Sequence, residues 1–451
     1  MARLSRAELQ RLNRAKVLEA ARGEFAERGF GGATIDGIAA RAGLTRGAVY
    51  SNFPGKRALY FTVLAELSSP AEPVPGEAAR ARTAREALGA FARAWVTRLP
   101  LVSGGRGDPG DPAGEGRLPV DLMPEVLADE RLRAVVSGLR RLDALLLGLA
   151  LERMDALERG DLLEGDAGAG GLPPGLAGAG AGVAGGGRRV RVAEAALMTL
   201  RGASELAVAA PGFVEPFDLV AVCDELAGLD LDDRWTPPPH VPPVQPADAP
   251  WPADAPWRDA PWPGFAPGGA IAPGGAIAPG GAIAPGGAIA PGGAIAPGGD
   301  LAVEGGAGSA RVGSARAGDL AATAVTAEDG VVAVLGPLEA AAAEEAVRAA
   351  PPGVPVTVAL VSDDPAESAP LTRLVLADVT RCLREAFPPG AWPRLRVTYD
   401  ATGALAAAAG VPAVTDGTVA AVRVRDGRIV ARADGPGACH AIATGVRLAA
   451  V

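Results

Sequence analysis

Histidine, cysteine and aromatic side chains are all scarce in this chain of 451 residues. Two histidines, His240 and His440, are too few for a histidine-based zinc site or a hydrolytic triad, both of which draw first on imidazole. Cys223, Cys382 and Cys439 lie far apart and form no CxxC pair, which argues against a disulfide framework and for buried, idle thiols in a reducing cytosol. No apolar run reaches the roughly 20 residues that a bilayer span needs. The charged N-terminus has no apolar core of a signal peptide. These absences predict a cytoplasmic protein with no membrane partner, no metal, no cofactor and no catalytic residues.

Glycine and proline, by contrast, are abundant. With 62 Gly and 41 Pro, much of the chain cannot lie in packed helices or strands, and the length suggests two or three domains. The net charge of −9 is unevenly spread: residues 1–60 hold 11 Lys/Arg and 5 Asp/Glu, and the remainder has 32 basic against 47 acidic residues. A small basic head on an acidic body keeps phosphate attraction local.

The head, residues 1–67, shows its elements by spacing and caps. Val17, Leu18, Ala21 and Phe25 recur at helical steps within Ser5–Arg28, and Gly29 ends that run. Thr34 is placed to cap a helix over Ile35–Arg41, and Ala42-Gly43-Leu44 makes a tight turn. Thr45 caps a second short helix, Arg46–Ser51, and another helix follows Pro54 through Lys56, Leu59, Tyr60, Val63 and Leu64. Two short helices joined by a glycine turn make a helix-turn-helix, whose second member reads base edges in the major groove. Arg46 carries the donor fork for guanine, and Gly47 and Ala48 allow close approach, Ala48 towards a thymine methyl. Thr34, Thr45, Tyr50 and Lys56 are candidates for the phosphate backbone. Ser51 is ambiguous between backbone contact and ending the helix. Ile38, Leu44, Val49 and Phe53 belong to the core.

The string from Ala33 to Lys56 resembles the TetR family of bacterial repressors: the threonine cap, Ile38-Ala39, Ala42-Gly43, Tyr50-x-x-Phe53 and Lys56 all fall in register. The resemblance implies a homodimer that binds a palindromic operator in double-stranded DNA and is released by a small-molecule effector. It also implies that residues 75–232 form a helical ligand-binding and dimerisation domain. Candidate helices there are Glu77–Leu99, Leu122–Arg159, Arg191–Ala209 and Phe217–Leu229, the last two supplying the dimer's four-helix bundle. A loop at Gly104–Gly116 and a disordered insertion at 165–187 interrupt them. Phe91, Trp95, Leu99, Met123, Leu127, Met154 and Met198 either line an apolar cavity or are simple core.

Residues 233–325 read as a disordered Pro/Gly-rich linker. They carry Pro-Trp repeats at Trp251, Trp257 and Trp262 and a strict Ala-Ile-Ala-Pro-Gly-Gly period from Ala270 to Gly299. Proline and two glycines per unit leave too little side chain for a stacked solenoid.

Residues 326–451 alternate strand and helix. Strands are expected at Val331–Leu335, Val354–Val361 and Leu395–Tyr399, with a hairpin of Val419–Val424 and Ile429–Ala433 across Asp426-Gly427. Helices are expected at Leu338–Ala349, Leu371–Phe387, Thr402–Ala409 and Ala438–Leu448. The order of Val397–Asp400, Gly410-Val411-Pro412, hairpin and helix is similar to the tail half of thioredoxin-like domains. Ser362–Glu367, where such enzymes carry a reactive cysteine, has none, which implies that redox catalysis is lost. The expected fold is therefore multidomain: an all-α helix-turn-helix head, a helical body, a linker and a small α/β thioredoxin-like module. A DNA-binding repressor leads the readings; a module that binds a protein partner and a module with redox activity are the alternatives.

Overall fold

The computed structural model of the chain describes residues 5–68, 81–99, 124–160, 187–251 and 329–445. The Gly104–Gly116 loop, residues 165–186 of the expected insertion, Met123, Trp257, Trp262 and the Ala270–Gly299 repeats lie outside the described residues.

The head consists of α1 (Arg6–Gly32), α2 (Ile35–Ala42), α3 (Arg46–Tyr50) and α4 (Lys56–Leu67). Ser5 and Glu8 form a reciprocal capping box that starts α1. Gly29, at φ 66° and ψ 175°, breaks the regular helix where the run was expected to end, and one further turn follows across the kink to Gly32. In α4 the eight residues Ala58–Ala65 are all buried. A helix that is apolar on every side must be packed on every side. On one side Tyr60 meets Phe25 and Phe30 of α1, with ring centroids 4.9 and 4.8 Å apart.

The body adds α5 (Ala84–Val96), α6 (Glu130–Glu158), α7 (Val190–Ala209) and α8 (Pro216–Leu226). Thr83 caps α5 by accepting from Glu86 N at 3.1 Å. The expected stripe Ala87, Leu88, Phe91 and Trp95 is buried, as is the leucine seam Leu139, Leu142, Leu145, Leu146 and Leu149 of α6.

The C-terminal unit is a mixed sheet of β1 (Gln245–Pro250), β2 (Gly330–Leu335), β3 (Val356–Leu360), β4 (Leu395–Tyr399), β5 (Val419–Arg425) and β6 (Arg428–Asp434) in the order β1-β6-β5-β2-β3-β4. Strands β2, β3 and β4 are parallel neighbours, and β5 and β6 run antiparallel. Its helices are α9 (Ala343–Ala349), preceded by a 3-10 turn at Pro337–Ala342, then α10 (Pro365–Ala386), α11 (Ala404–Ala408) and α12 (Ala438–Thr444). Asp426 and Gly427 both take positive φ, 48° and 69°, as a type I′ hairpin turn requires.

Two expectations are corrected here. The stretch from 233 to 251 is not a disordered linker: it includes β1, which pairs with β6. Pro246 and Pro250 are admitted because β1 is an edge strand, and a bulge falls between Pro246 and Ala249. Helix α10 begins at Pro365 and not at Leu371, because Asp364 caps it and Pro365 occupies its first position, while Pro370 is carried inside.

The C-terminal unit does not stand apart. Its α10 packs against α4, α5 and α6, and one apolar core runs through head, body and sheet. Gly138 of α6 permits a close approach, since a Cβ there would lie 1.8 Å from the Pro337 carbonyl oxygen. Among the described residues no helix is long and apolar enough to cross a membrane.

Candidate nucleic-acid interface

Helices α2 and α3 are held at their starts by side-chain caps. Thr34 Oγ1 accepts from Gly37 N at 3.0 Å, and Thr45 Oγ1 accepts from Ala48 N at 3.2 Å. Each hydroxyl keeps its own hydrogen to donate outward. Gly43 takes φ 64° between the helices, a conformation that costs any other residue energy. Val49, Phe53 and Ile38 are buried and Leu44 half-buried, as their spacing predicts. That packing turns Thr45, Arg46, Gly47, Tyr50 and Ser51 to solvent, with Ala48 half-buried behind them.

The exposed row is partly preorganised. Arg46 Nη2 donates to Tyr50 Oη at 3.5 Å, and its guanidinium lies 5.6 Å from the Tyr50 ring. Asp36 of α2 holds the other side of that guanidinium at 3.5 Å. The Tyr50 hydroxyl first, and then Asp36, push the Arg46 guanidinium above its usual range. Asp36 escaped the sequence reading, because its partner is ten residues away and across a turn. Ser51 Oγ donates to the Ala48 carbonyl at 2.9 Å and so closes the end of α3. A Cβ at Gly47 would meet nothing nearer than Thr45 Oγ1 at 3.9 Å. The head itself therefore does not require glycine at this position.

Lys56 sits differently from the rest. Its Nζ donates to the carbonyls of Phe30 at 2.8 Å and Ala33 at 3.1 Å, and lies 4.4 Å from the Phe30 ring centroid. It thereby satisfies carbonyls at the end of α1, and one of its three hydrogens remains for an outside acceptor.

Residues 17–63 match the model of the bacterial regulatory proteins of the tetR family. The head is of TetR type. Over 72 residues the chain is 43% identical to two proteins of Pseudomonas putida, the HTH-type transcriptional regulator SrpR and the uncharacterized HTH-type transcriptional regulator TtgW. Those matches cover 16% of this chain and span 33% of SrpR and 53% of TtgW. Among solved structures, the transcriptional regulator FadR of Bacillus subtilis, crystallised with stearoyl-CoA, aligns at 16% identity with a TM-score of 0.22, over 47% of this chain and 96% of FadR. A TetR-like regulator of Rhodococcus sp. RHA1 aligns at 18% and 0.22, over 50% of this chain and 97% of its own.

In the body, Phe91, Trp95, Leu99 and Met154 are buried, whereas Leu127 is 57% and Met198 69% exposed, so these last two line no interior cavity. Trp95 stacks on Phe91 at 6.1 Å and donates Nε1 to Ser204 Oγ at 3.0 Å. A cavity of about 590 Å³ lies instead where α6 ends and α7 begins, and its lining of Asp155, Arg188, Arg189, Asp232, Asp233 and Arg234 is charged. Among the described residues no group of three or more His, Cys, Asp or Glu could hold a metal ion. All three thiols are buried. Desolvation pushes Cys223 and Cys382 up to about 12 and Cys439 further, the reverse of what a thiolate nucleophile requires.

Proposed function

We propose that the chain is a TetR-type transcriptional regulator that binds a palindromic operator as a homodimer, represses from it, and is released by a small-molecule effector. The observation that carries this reading is the solvent-facing row Thr45, Arg46, Gly47, Tyr50 and Ser51 on a short helix capped at its amino end. Arg46 reads a guanine, Gly47 and Ala48 let the helix enter the groove, and Thr34, Thr45, Tyr50, Ser51 and Lys56 meet the phosphate backbone. Asp36 and Tyr50 lie beside the exposed Arg46 fork, each at 3.5 Å. A homodimer is supported by the exposed apolar side chains Met198 on α7, Phe213 (72% exposed) after it and Phe217 (83% exposed) on α8. Two-fold symmetry doubles a site that one short helix reads too briefly.

The sheet unit is read as a thioredoxin-like module without redox chemistry, because Ser362 and the acidic Asp363-Asp364 stand where a reactive cysteine would be needed and the chain's thiols are buried. Random-site selection with the full chain, followed by a gel shift across a salt series, tests the regulator reading. Arg46→Ala is expected to cost about 1–3 kcal/mol and to relax preference at one base pair per half-site. Tyr50→Phe is expected to weaken binding evenly across sequences. Selection that enriches no duplex would refute the reading.

A further inference from the structure

We infer that the C-terminal unit splints α4 and so sets the position of the DNA-binding head. Helix α4 carries the chain from head to body, and its buried residues Ala58–Ala65 are covered on one side by α1 and on the other by α10. Polar contacts fix α10 to α4 at both ends. Arg57, in the first turn of α4, donates Nε to Glu367 Oε2 at 2.8 Å and Nη1 to Asp129 Oδ2 at 2.8 Å. It thereby ties α4 to the first turn of α10 and to the N-cap of α6 at once. Arg381, near the far end of α10, donates Nη2 to the carbonyl of Ser68, the C-cap of α4, at 2.5 Å. Between them Glu66 of α4 lies in the field of Arg14 of α1 and Arg373 of α10. The two helices run side by side in the same direction, joined near their starts by Arg57 and at the end of α4 by Arg381.

Charged hydrogen bonds of this kind, half-shielded from water, are stronger than exposed ion pairs. An event that shifts α10 therefore moves α4, and with α4 the Phe25–Tyr60–Phe30 contact that seats the head. Any ligand or partner of the sheet unit reaches the DNA-binding surface by this route, in addition to any effector of the helical body. The regulatory half of this inference rests on the DNA-binding reading above; the mechanical half does not.

The test compares full-length wild type with Glu367→Gln/Arg381→Gln by hydrogen–deuterium exchange and by affinity for a duplex from random-site selection. Glu385→Gln is the control: it takes the charge from a bond of the same kind between α10 and Arg98, which does not belong to α4. The expected result is about tenfold faster exchange in α4 of the double variant, with α2 and α3 unchanged and duplex affinity shifted severalfold. The control should leave α4 as in wild type. Unchanged exchange in α4, or equal acceleration in the control, overturns the splint, and faster exchange with unaltered affinity overturns its link to DNA. If no duplex is selected the DNA-binding reading fails, and the exchange data still decide the splint.

Discussion

At the scale of single residues, position in the head does not by itself fix a role. Arg46, Tyr50 and Lys56 are all charged or polar residues of the expected DNA-binding row, yet Lys56 bonds two backbone carbonyls of its own domain. Lys56→Ala is therefore expected to destabilise the protein by about 1–2 kcal/mol, since two half-shielded carbonyls lose a charged donor. Urea denaturation followed by circular dichroism checks this, and a midpoint equal to wild type would make Lys56 a pure surface residue. Arg46→Ala should leave the same midpoint nearly unmoved, because its partners Asp36 and Tyr50 are themselves exposed. The residue types were legible in the sequence, and so were the caps at Thr34 and Thr45, which depend only on neighbours three positions on. The Lys56 bonds to residues 26 and 23 positions away were not, because no local spacing encodes them.

At the scale of elements, the joint at Arg57 should respond to acid. The Leu132 backbone amide, and then the Arg57 guanidinium, hold the Asp129 carboxyl below its usual value. A carboxyl depressed in the folded state adds stability that is complete above its unfolded value, near 3.9, and is lost as pH falls through the folded value. Acid titration monitored by exchange in the first turn of α6 should therefore show loosening there only below about pH 4. Asp129→Asn should remove that step, and a step that persisted in the variant would assign it elsewhere. Most helices and strands of the sheet unit were readable from periodicity, β-branched runs and the Asp-Gly turn. The start of α10 was hidden by Pro370, although Asp364-Pro365 is a start signal in its own right. Strand β1 was hidden by its prolines: an edge strand needs no alternation that a reader can follow, only a neighbour, and that neighbour, β6, is reached 180 residues on, where Arg428 bonds Asp248.

At the scale of the whole molecule, the buried run Ala58–Ala65 shows that α4 is enclosed on every side, and nothing local in the sequence names what encloses it. The enclosing helix comes from the far end of the chain. The sheet unit is consequently a wall of the helical body and not a tethered appendage. Both borders of the segment 252–328 meet the same hairpin turn: Trp251 N donates to the Gly427 carbonyl at 2.9 Å, and Asp426 N donates to Asp329 Oδ1 at 2.6 Å. Excising residues 253–328 and bridging the gap with a glycine-serine stretch of about eight residues should thus leave the melting temperature within a few degrees of wild type. A large drop would mean that the excised segment contributes to the core.

That shared anchor at Asp426-Gly427 also bears on how the gene can change. Because the chain leaves and rejoins the sheet at one turn, adding or losing a whole Ala-Ile-Ala-Pro-Gly-Gly unit alters no distance that the fold must respect. Alleles differing by whole repeats, each about eighteen nucleotides long, would then be neutral for folding. Natural populations should carry a spread of repeat numbers at this locus while the residues on either side of the turn stay fixed.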